Sequence, residues 1–306
     1  EIPVSSDAAR MITTDPDALF DAELLRRFES LSLLARQLVR GRMRAERRSV
    51  QRGASVEFAE YRPFVEGDDW RYVDWHAFAR WRQLVLKLFV EEEDLHVHLL
   101  LDCSASMDWG NPVKFDQARR ILAGLAYIAL ANLDRAALVP LGAGDMRAWP
   151  PTRGRDRFFQ MLRYLAACPV GSGPLSLETA VRSWIARQPR RGLVVWVGDL
   201  LGADSEDALR ALDRLRHARH EIAVIQLLDP SEQRAAEPGE YEFEDCESGA
   251  TRRVVVDAAA ARAFRQRYEA YLESIDRYGK MHRIPILRAT TEDAVGDVLT
   301  KTLRWR

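Results

Sequence analysis

The stretch Val97-His98-Leu99-Leu100-Leu101-Asp102-Cys103-Ser104-Ala105-Ser106-Met107 constrains this chain more than any other. An apolar run of strand length stops at an aspartate, and two hydroxyls come after it at alternate positions. Runs of this kind belong to parallel strands covered on both faces. Such a strand delivers its last residue to the carboxyl edge of a sheet, where open α/β folds place their ligand sites. Asp-x-Ser-x-Ser there presents one carboxylate and two hydroxyl oxygens to a single point. That oxygen-only set suits a hard divalent cation such as Mg2+. Ser and Asp are also the usual helix N-caps. A cap accounts for one hydroxyl, but not for an acid and two hydroxyls in alternation.

A second strand end repeats the pattern: Val194-Val195-Trp196-Val197-Gly198 runs into Asp199. Gly198 permits close approach of backbone to a neighbour. If the two strands are adjacent, Asp102 and Asp199 converge on one crevice. Two carboxylates there repel, and one pKa rises unless a divalent ion or a basic partner group removes the cost.

The remaining pattern supports such a sheet. Apolar strand runs at Leu95–Leu101, Ala136–Leu141, Leu193–Val197, Ile222–Leu228 and Arg283–Arg288 alternate with helical spacing. The helical segments are Lys114–Ala131, Arg155–Ala167, Leu177–Arg187, Ser205–Ala218, Ala258–Arg277 and a last one from Glu292. Met146–Trp149 reads as a hairpin partner of the second strand. This alternation implies βαβ units, hence an α/β fold with a mostly parallel sheet and helices on both faces. Three regions are predicted: a flexible N-terminus (1–20), a helix with a small β and aromatic subdomain (21–94), and the α/β domain (95–306). A hairpin insertion falls at about 238–256.

Composition narrows the function. Lys and Arg number 45 against 46 Asp and Glu, a net charge of -1, which removes any global electrostatic argument for nucleic acid or membrane. The longest apolar runs are far too short to span a bilayer, and the N-terminus has no signal-peptide core. Cys103, Cys168 and Cys246 lack CxxC spacing, and a sparse odd set points to a reducing compartment. The expected location is cytoplasmic. No Walker loop, nucleophile elbow, zinc helix or dinucleotide glycine motif occurs, and Asp102 beside Cys103 opposes thiolate formation.

Two surfaces suggest partners. The helix from Asp21 to about Arg48 has an apolar stripe opposite an arginine face that includes Arg40, Arg44 and Arg47. Such a face fits phosphates or an acidic protein surface, and the neutral total charge favours the protein. The block Gly67-Asp68-Asp69-Trp70-Arg71-Tyr72-Val73-Asp74-Trp75, with Phe78 and Trp81, is dense in aromatics. It reads as a structural plug in which Asp68, Asp69, Arg71 and Asp74 satisfy one another, with Arg71 and Asp74 spaced to pair. The alternative is a docking surface, since Trp, Tyr and Arg dominate interface hot spots.

The chain resembles a von Willebrand factor A domain, a Rossmann-like fold. Asp102, Ser104 and Ser106 match the first element of that fold's metal-ion-dependent adhesion site, and Asp199 matches the third. The second element departs: Gly173-Pro174-Leu175-Ser176-Leu177 puts Leu175 at the usual threonine position, leaving Ser172 or Ser176 as substitutes only in a remodelled loop. Glu57-Phe58-Ala59-Glu60-Tyr61-Arg62-Pro63-Phe64, then Gly67-Asp68-Asp69, Arg71, Asp74-Trp75, Phe89-Val90-Glu91-Glu92-Glu93 and Leu228-Asp229-Pro230, narrow the likeness. They resemble the bacterial domain-of-unknown-function family 58. The resemblance implies Mg2+ or Mn2+ at the Asp102 site. It also implies a MoxR-type AAA+ ATPase as partner, acting in the maturation or assembly of a client protein. The expected function is a non-catalytic, chaperone-like protein-binding module whose bound ion is completed by a partner carboxylate. The enzyme alternative is a Mg2+-dependent phosphatase of the dehalogenase type. In that class a second acid stands two residues after the first aspartate, and here that residue is Ser104. Nucleic-acid binding by the arginine face is the third reading.

Overall fold

A computed structural model describes residues 12–33, 50–51, 57–90, 95–171, 173, 175–187, 190–201, 206–234, 236–246 and 249–304. Among these, contacts divide the chain into two compact units, 12–33 with 95–304, and 50–90.

The first unit opens with a short helix, α1 (Pro16–Leu19), and a second, α2, helical over the described residues 22–33. The alternating region comes next: β4 (His96–Asp102), α4 (Lys114–Ala131), β5 (Arg135–Leu141), β6 (Trp149–Thr152), α5 (Phe158–Ala167), α6 (Leu177–Ile185), β7 (Leu193–Gly198), α7 (Asp207–His217), β8 (Glu221–Leu228), α8 (Ala258–His282), β11 (Ile286–Thr290) and α9 (Val295–Leu303). Strands β9 (Gly239–Glu244) and β10 (Thr251–Val256) form a separate antiparallel hairpin between β8 and α8. The sheet order is β11-β8-β7-β4-β5-β6, parallel except for the edge strand β6. This is the mixed α/β architecture with a mostly parallel sheet that the sequence predicts.

Alternation along each strand builds two cores. Leu99 and Leu101 of β4 face a layer of α4, α5 and α9, while Leu100 faces α6 and α7 with Trp196 and Val224. Helix α4 is buried almost all round, its small alanines letting it lie close on β4, β5 and β7. Residues 12–33 belong to this body. Phe28 is fully buried in the α4 layer, Arg120 Nε donates to Leu19 O, and buried Arg119 donates to Thr13 O.

Two expectations shift. The partner of β5 is Trp149–Thr152 rather than Met146–Trp149; its two prolines are tolerated because it is an edge strand. Helix α8 continues to His282, where Arg283 takes a left-handed conformation (φ 56°), so the last strand begins at Ile286 rather than Arg283. No helix among the described residues is long and apolar enough to cross a membrane.

Among the described residues the second unit is an antiparallel sheet, β1 (Val50–Gln51), β2 (Glu57–Pro63) and β3 (Val85–Val90) in the order β1-β3-β2, with the α-helix α3 (Trp75–Trp81). That helix lies where the sequence reads as turn and aromatic cluster. The aromatics are not a buried plug: Trp70, Trp75 and Trp81 each expose more than half their surface. They pack in pairs instead, Phe64 on Trp70 and Tyr61 edge-on to Trp81.

Candidate functional site at the carboxyl edge of the sheet

Strand β4 pairs with β5 on one side and β7 on the other, so the strand order reverses at β4. A crevice at such a switch point is where open α/β sheets bind ligands. Leu101 is in register with Val197, which brings Asp102 and Asp199 together at adjacent strand ends. Asp102 is fully buried. Its Oδ1 accepts from Ser104 N at 3.0 Å, while Oδ2 makes no hydrogen bond among the described residues. Ser104 Oγ and Ser106 Oγ lie 2.9 Å apart. Gly198 explains itself here, since a Cβ on it would stand 2.5 Å from Asp102 Cβ and 2.6 Å from Oδ2.

The serines do not cap a helix. Helix α4 begins eight residues past Ser106, with Val113 at its N-cap, and Ser104 makes no side-chain cap bond to the short turn Ala105–Met107. The Asp-Ser-Ser set is therefore a feature of the strand end itself.

A residue legible in the sequence only as the start of a helix dominates the crevice. Lys114, fully buried, sets its Nζ 2.7 Å from Asp199 Oδ2 and also bonds Glu232 Oε1. The other Asp199 oxygen accepts from Leu201 N at 2.9 Å, so both oxygens are engaged. Burial alone would depress the ammonium's pKa, but the charges of Asp199 and Glu232 outweigh it and hold Lys114 above its ordinary value. Burial, and then the charge of Asp199, push Asp102 up to about 7, against the pull of the Ser104 N–H and Lys114. A signal was present in composition. The chain uses four lysines (87, 114, 280 and 301) among its 45 basic residues, and one of them is buried at the strand ends.

The loop after β8 closes the far side. Asp229 accepts from Ser231 N at 2.9 Å and from Thr291 Oγ1 at 2.8 Å, and Glu232 Oε2 accepts from Asp229 N at 2.9 Å. Trp109 Nε1 donates to Ser231 Oγ at 2.9 Å while its ring stays 39% exposed. Burial drives the Cys103 thiol well above its ordinary pKa, so it is not an activated nucleophile.

Among the described residues the second loop supplies no free hydroxyl in place of threonine. A Cβ on Gly142 would meet Leu175 Cδ2 at 2.5 Å, so the leucine methyls lie over that backbone and pack into the β5–α6 layer. Ser176 is the N-cap of α6, accepting from Thr179 N at 3.2 Å and bonding Asp207 Oδ1 at 3.0 Å. Ser172 lies outside the described residues. Of the four ligands expected for a divalent ion, Asp102, Ser104 and Ser106 present oxygens together, whereas Asp199 already holds an ammonium. With Leu175 apolar and Asp199 engaged, this set does not fit the full adhesion-type arrangement.

The other predicted binding residues fall elsewhere. Arg40, Arg44 and Arg47 lie outside the described residues. Asp68, Asp69, Arg71 and Asp74 belong to the second unit, where their roles are local. Buried Asp68 accepts from Arg62 Nη2 at 2.5 Å and Val65 N at 3.0 Å. Arg71 pairs with Asp69 (2.6 Å) rather than with Asp74, because Asp74 caps α3 through His76 N and Ala77 N and accepts from Tyr61 Oη at 3.0 Å.

Parts of this chain are similar to known proteins. A family model described as "Protein of unknown function DUF58" matches residues 60–275. Uncharacterised proteins of Mycobacterium bovis and Mycobacterium tuberculosis are 29% identical over 286 residues, covering 91% of this chain and 89% of each relative. Among solved structures, the conserved hypothetical protein BatB of Bacteroides thetaiotaomicron is similar at a TM-score of 0.41 and 14% identity, over 68% of this chain and 98% of its own. Manganese-loaded TRAP protein of Plasmodium vivax is similar at 0.32 and 18%, over 44% and 57%.

Proposed function

This chain belongs to the DUF58 family of proteins of unknown function, and from that membership we propose that it is a non-catalytic protein-interaction module of the A-domain type. It docks a partner on the loop after β4, at the switch point of the sheet. The carrying observation is the state of the crevice: apart from Asp102, whose Oδ2 makes no hydrogen bond among the described residues, its charged groups are bonded to one another, and Trp109 stands partly exposed on the loop beside them. Lys114, Asp199 and Glu232 form one closed group, and Asp229, Ser231 and Thr291 another. Half-buried Ser106, bonded to buried Ser104, and the partly exposed Trp109 sit on the loop they brace. Trp anchors on rigid supports are typical of interface hot spots. Asp102 keeps an unbonded oxygen, but a hydrolase would need it to move a proton beside a nucleophile, and the adjacent Cys103 thiol is buried and held well above its ordinary pKa.

The partner is a MoxR-type AAA+ ATPase in the cytoplasm, the pair acting in maturation or assembly of a client protein, as the family resemblance implies. The test is titration of the purified chain with a MoxR-type ATPase in its nucleotide-bound state, alongside Trp109→Ala. Binding weakened at least about tenfold in a variant that keeps wild-type melting supports the reading, tenfold being a loss of about 1.4 kcal/mol. Equal affinity in the two proteins, or no binding to such an ATPase, sinks it. Turnover of phosphate esters that is lost in Asp102→Asn would replace it with the hydrolase.

A further inference from the structure

We infer that Lys114 is a resident cation: its ammonium supplies the positive charge that the paired carboxylates at the β4 and β7 ends require, so this edge is built to stand without a divalent metal. That charge balance is the same whichever partner docks there.

Asp199 is already occupied. Of its two oxygens, one is bonded to Lys114 Nζ at 2.7 Å and one to Leu201 N at 2.9 Å. A metal ligated by Asp199 must therefore displace either an ammonium or a backbone N–H. Electrostatics point the same way. Lys114 and Asp199 side chains are both fully buried and Glu232 is half-buried. An ammonium buried this far is tolerated only with strong, well-placed counter-charge, and two carboxylates supply it. The same carboxylates would otherwise face Asp102 as unshielded like charge.

The kind of cation also matters. Arginine is the basic residue this chain uses almost everywhere, yet lysine stands here. A guanidinium is a broad planar fork, whereas an ammonium is a compact point charge with three donors. Two carboxylates from different loops, Asp199 after β7 and Glu232 after β8, converge on such a point. In the neighbouring loop, Leu175 presents methyls and Ser176 is engaged as a helix cap. The departures from a divalent-ion site therefore fall on both sides of β4: Leu175 over Gly142 at the β5 end, and the ammonium on Asp199 at the β7 end.

A purely structural ion pair would share this geometry, and the two differ in how the protein responds to metal once the charge is removed. The experiment is thermal unfolding of chelator-stripped protein with and without about 10 mM Mg2+ or about 1 mM Mn2+ (probe concentrations on the order of those that saturate weak sites), together with Mn2+ binding followed by electron paramagnetic resonance. Wild type is expected to bind no Mn2+ saturably and to shift by under about 1 °C. Lys114→Ala is expected to melt lower and to recover by about 5 °C or more with either metal, through the mass-action stabilisation a bound ion gives. Lys114→Ala,Asp199→Asn should lose that recovery. If Lys114→Ala is obtained folded only in the presence of metal, the inference holds by the same logic. Saturable Mn2+ binding by wild type that is lost in Asp102→Ala overturns it. So does a Lys114→Ala protein, folded or not, that responds to neither ion.

Discussion

Gly198 lies against Asp102 so closely that a Cβ at 198 would stand 2.5 Å from Asp102 Cβ. The contact joins the ends of neighbouring strands β7 and β4 and has backbone on one side, so neither residue can turn away. Gly198→Ala is therefore expected to destabilise the protein by about 1–3 kcal/mol, as overpacking in a close-packed interior does. Urea unfolding checks it. Combining Gly198→Ala with Asp102→Gly, which removes the opposing Cβ and carboxyl, should give a loss smaller than the sum of the two, a coupling expected of residues in contact.

Ser176 offers a sharper distinction between a ligand and a cap. Its hydroxyl accepts from Thr179 N and bonds the buried carboxylate of Asp207, which also accepts from Leu177 N at 2.6 Å. Ser176→Ala should cost about 1 kcal/mol of stability, the usual loss of an N-cap, measurable as a lowered denaturation midpoint with unchanged slope. It should leave the response of the protein to Mg2+ or Mn2+ unaltered. A metal response that appears or disappears with Ser176 would make it a ligand.

The sheet was legible because β5, β7 and β8 carry apolar runs of four residues or more, β4 ends at Asp102 and β7 runs directly into Asp199. That Asp102 and Asp199 converge was legible only conditionally, because strand adjacency is set by crossovers between distant segments. Lys114 was hidden for a related reason. It reads as the polar first residue of a helix, and only tertiary packing shows that α4 is buried nearly all round, Lys114 included. Helix α3 escaped because seven residues are too few for a 3.6-residue period to stand out among aromatics. Pro150 and Pro151 displaced the expected β6, since prolines argue against a strand until its edge position is known.

Asp74 predicts the behaviour of the second unit. Its Oδ1 caps α3 through His76 N at 3.0 Å and Ala77 N at 3.1 Å, and its Oδ2 accepts from Tyr61 Oη. Asp74→Ala leaves two helix N–H groups and a phenol without these bonds, a loss of about 1–2 kcal/mol from the cap alone. Hydrogen exchange should accelerate over residues 75–81 while the amides of β4 and β7 keep their protection, because the two units are separately compact. Uniform acceleration across both units would show that they unfold as one. Asp74→Asn, which retains an acceptor at the cap, should restore most of the protection.

His98 sets the acid limit of the α/β unit. Its ring is fully buried on the Leu100 face, edge-on to Trp184 at 5.2 Å and to His220 at 5.5 Å. Burial, and then the neighbouring His220 and His96, lower its pKa from 6.5 to about 4. Between those values the unfolded chain binds the proton and the folded protein does not, so stability rises with pH across this window. The contribution is fully present above about pH 6.5 and is lost as pH falls toward 4, by about 3 kcal/mol at roughly 1.36 kcal/mol per unit. Unfolding free energy measured by urea at steps from about pH 7 to about pH 4.5 should therefore fall more steeply in wild type than in His98→Leu. The variant removes the titrating ring while keeping an apolar side chain in the same core. Parallel slopes in the two proteins would mean that His98 takes up no fewer protons folded than unfolded, and that the acid limit is set elsewhere.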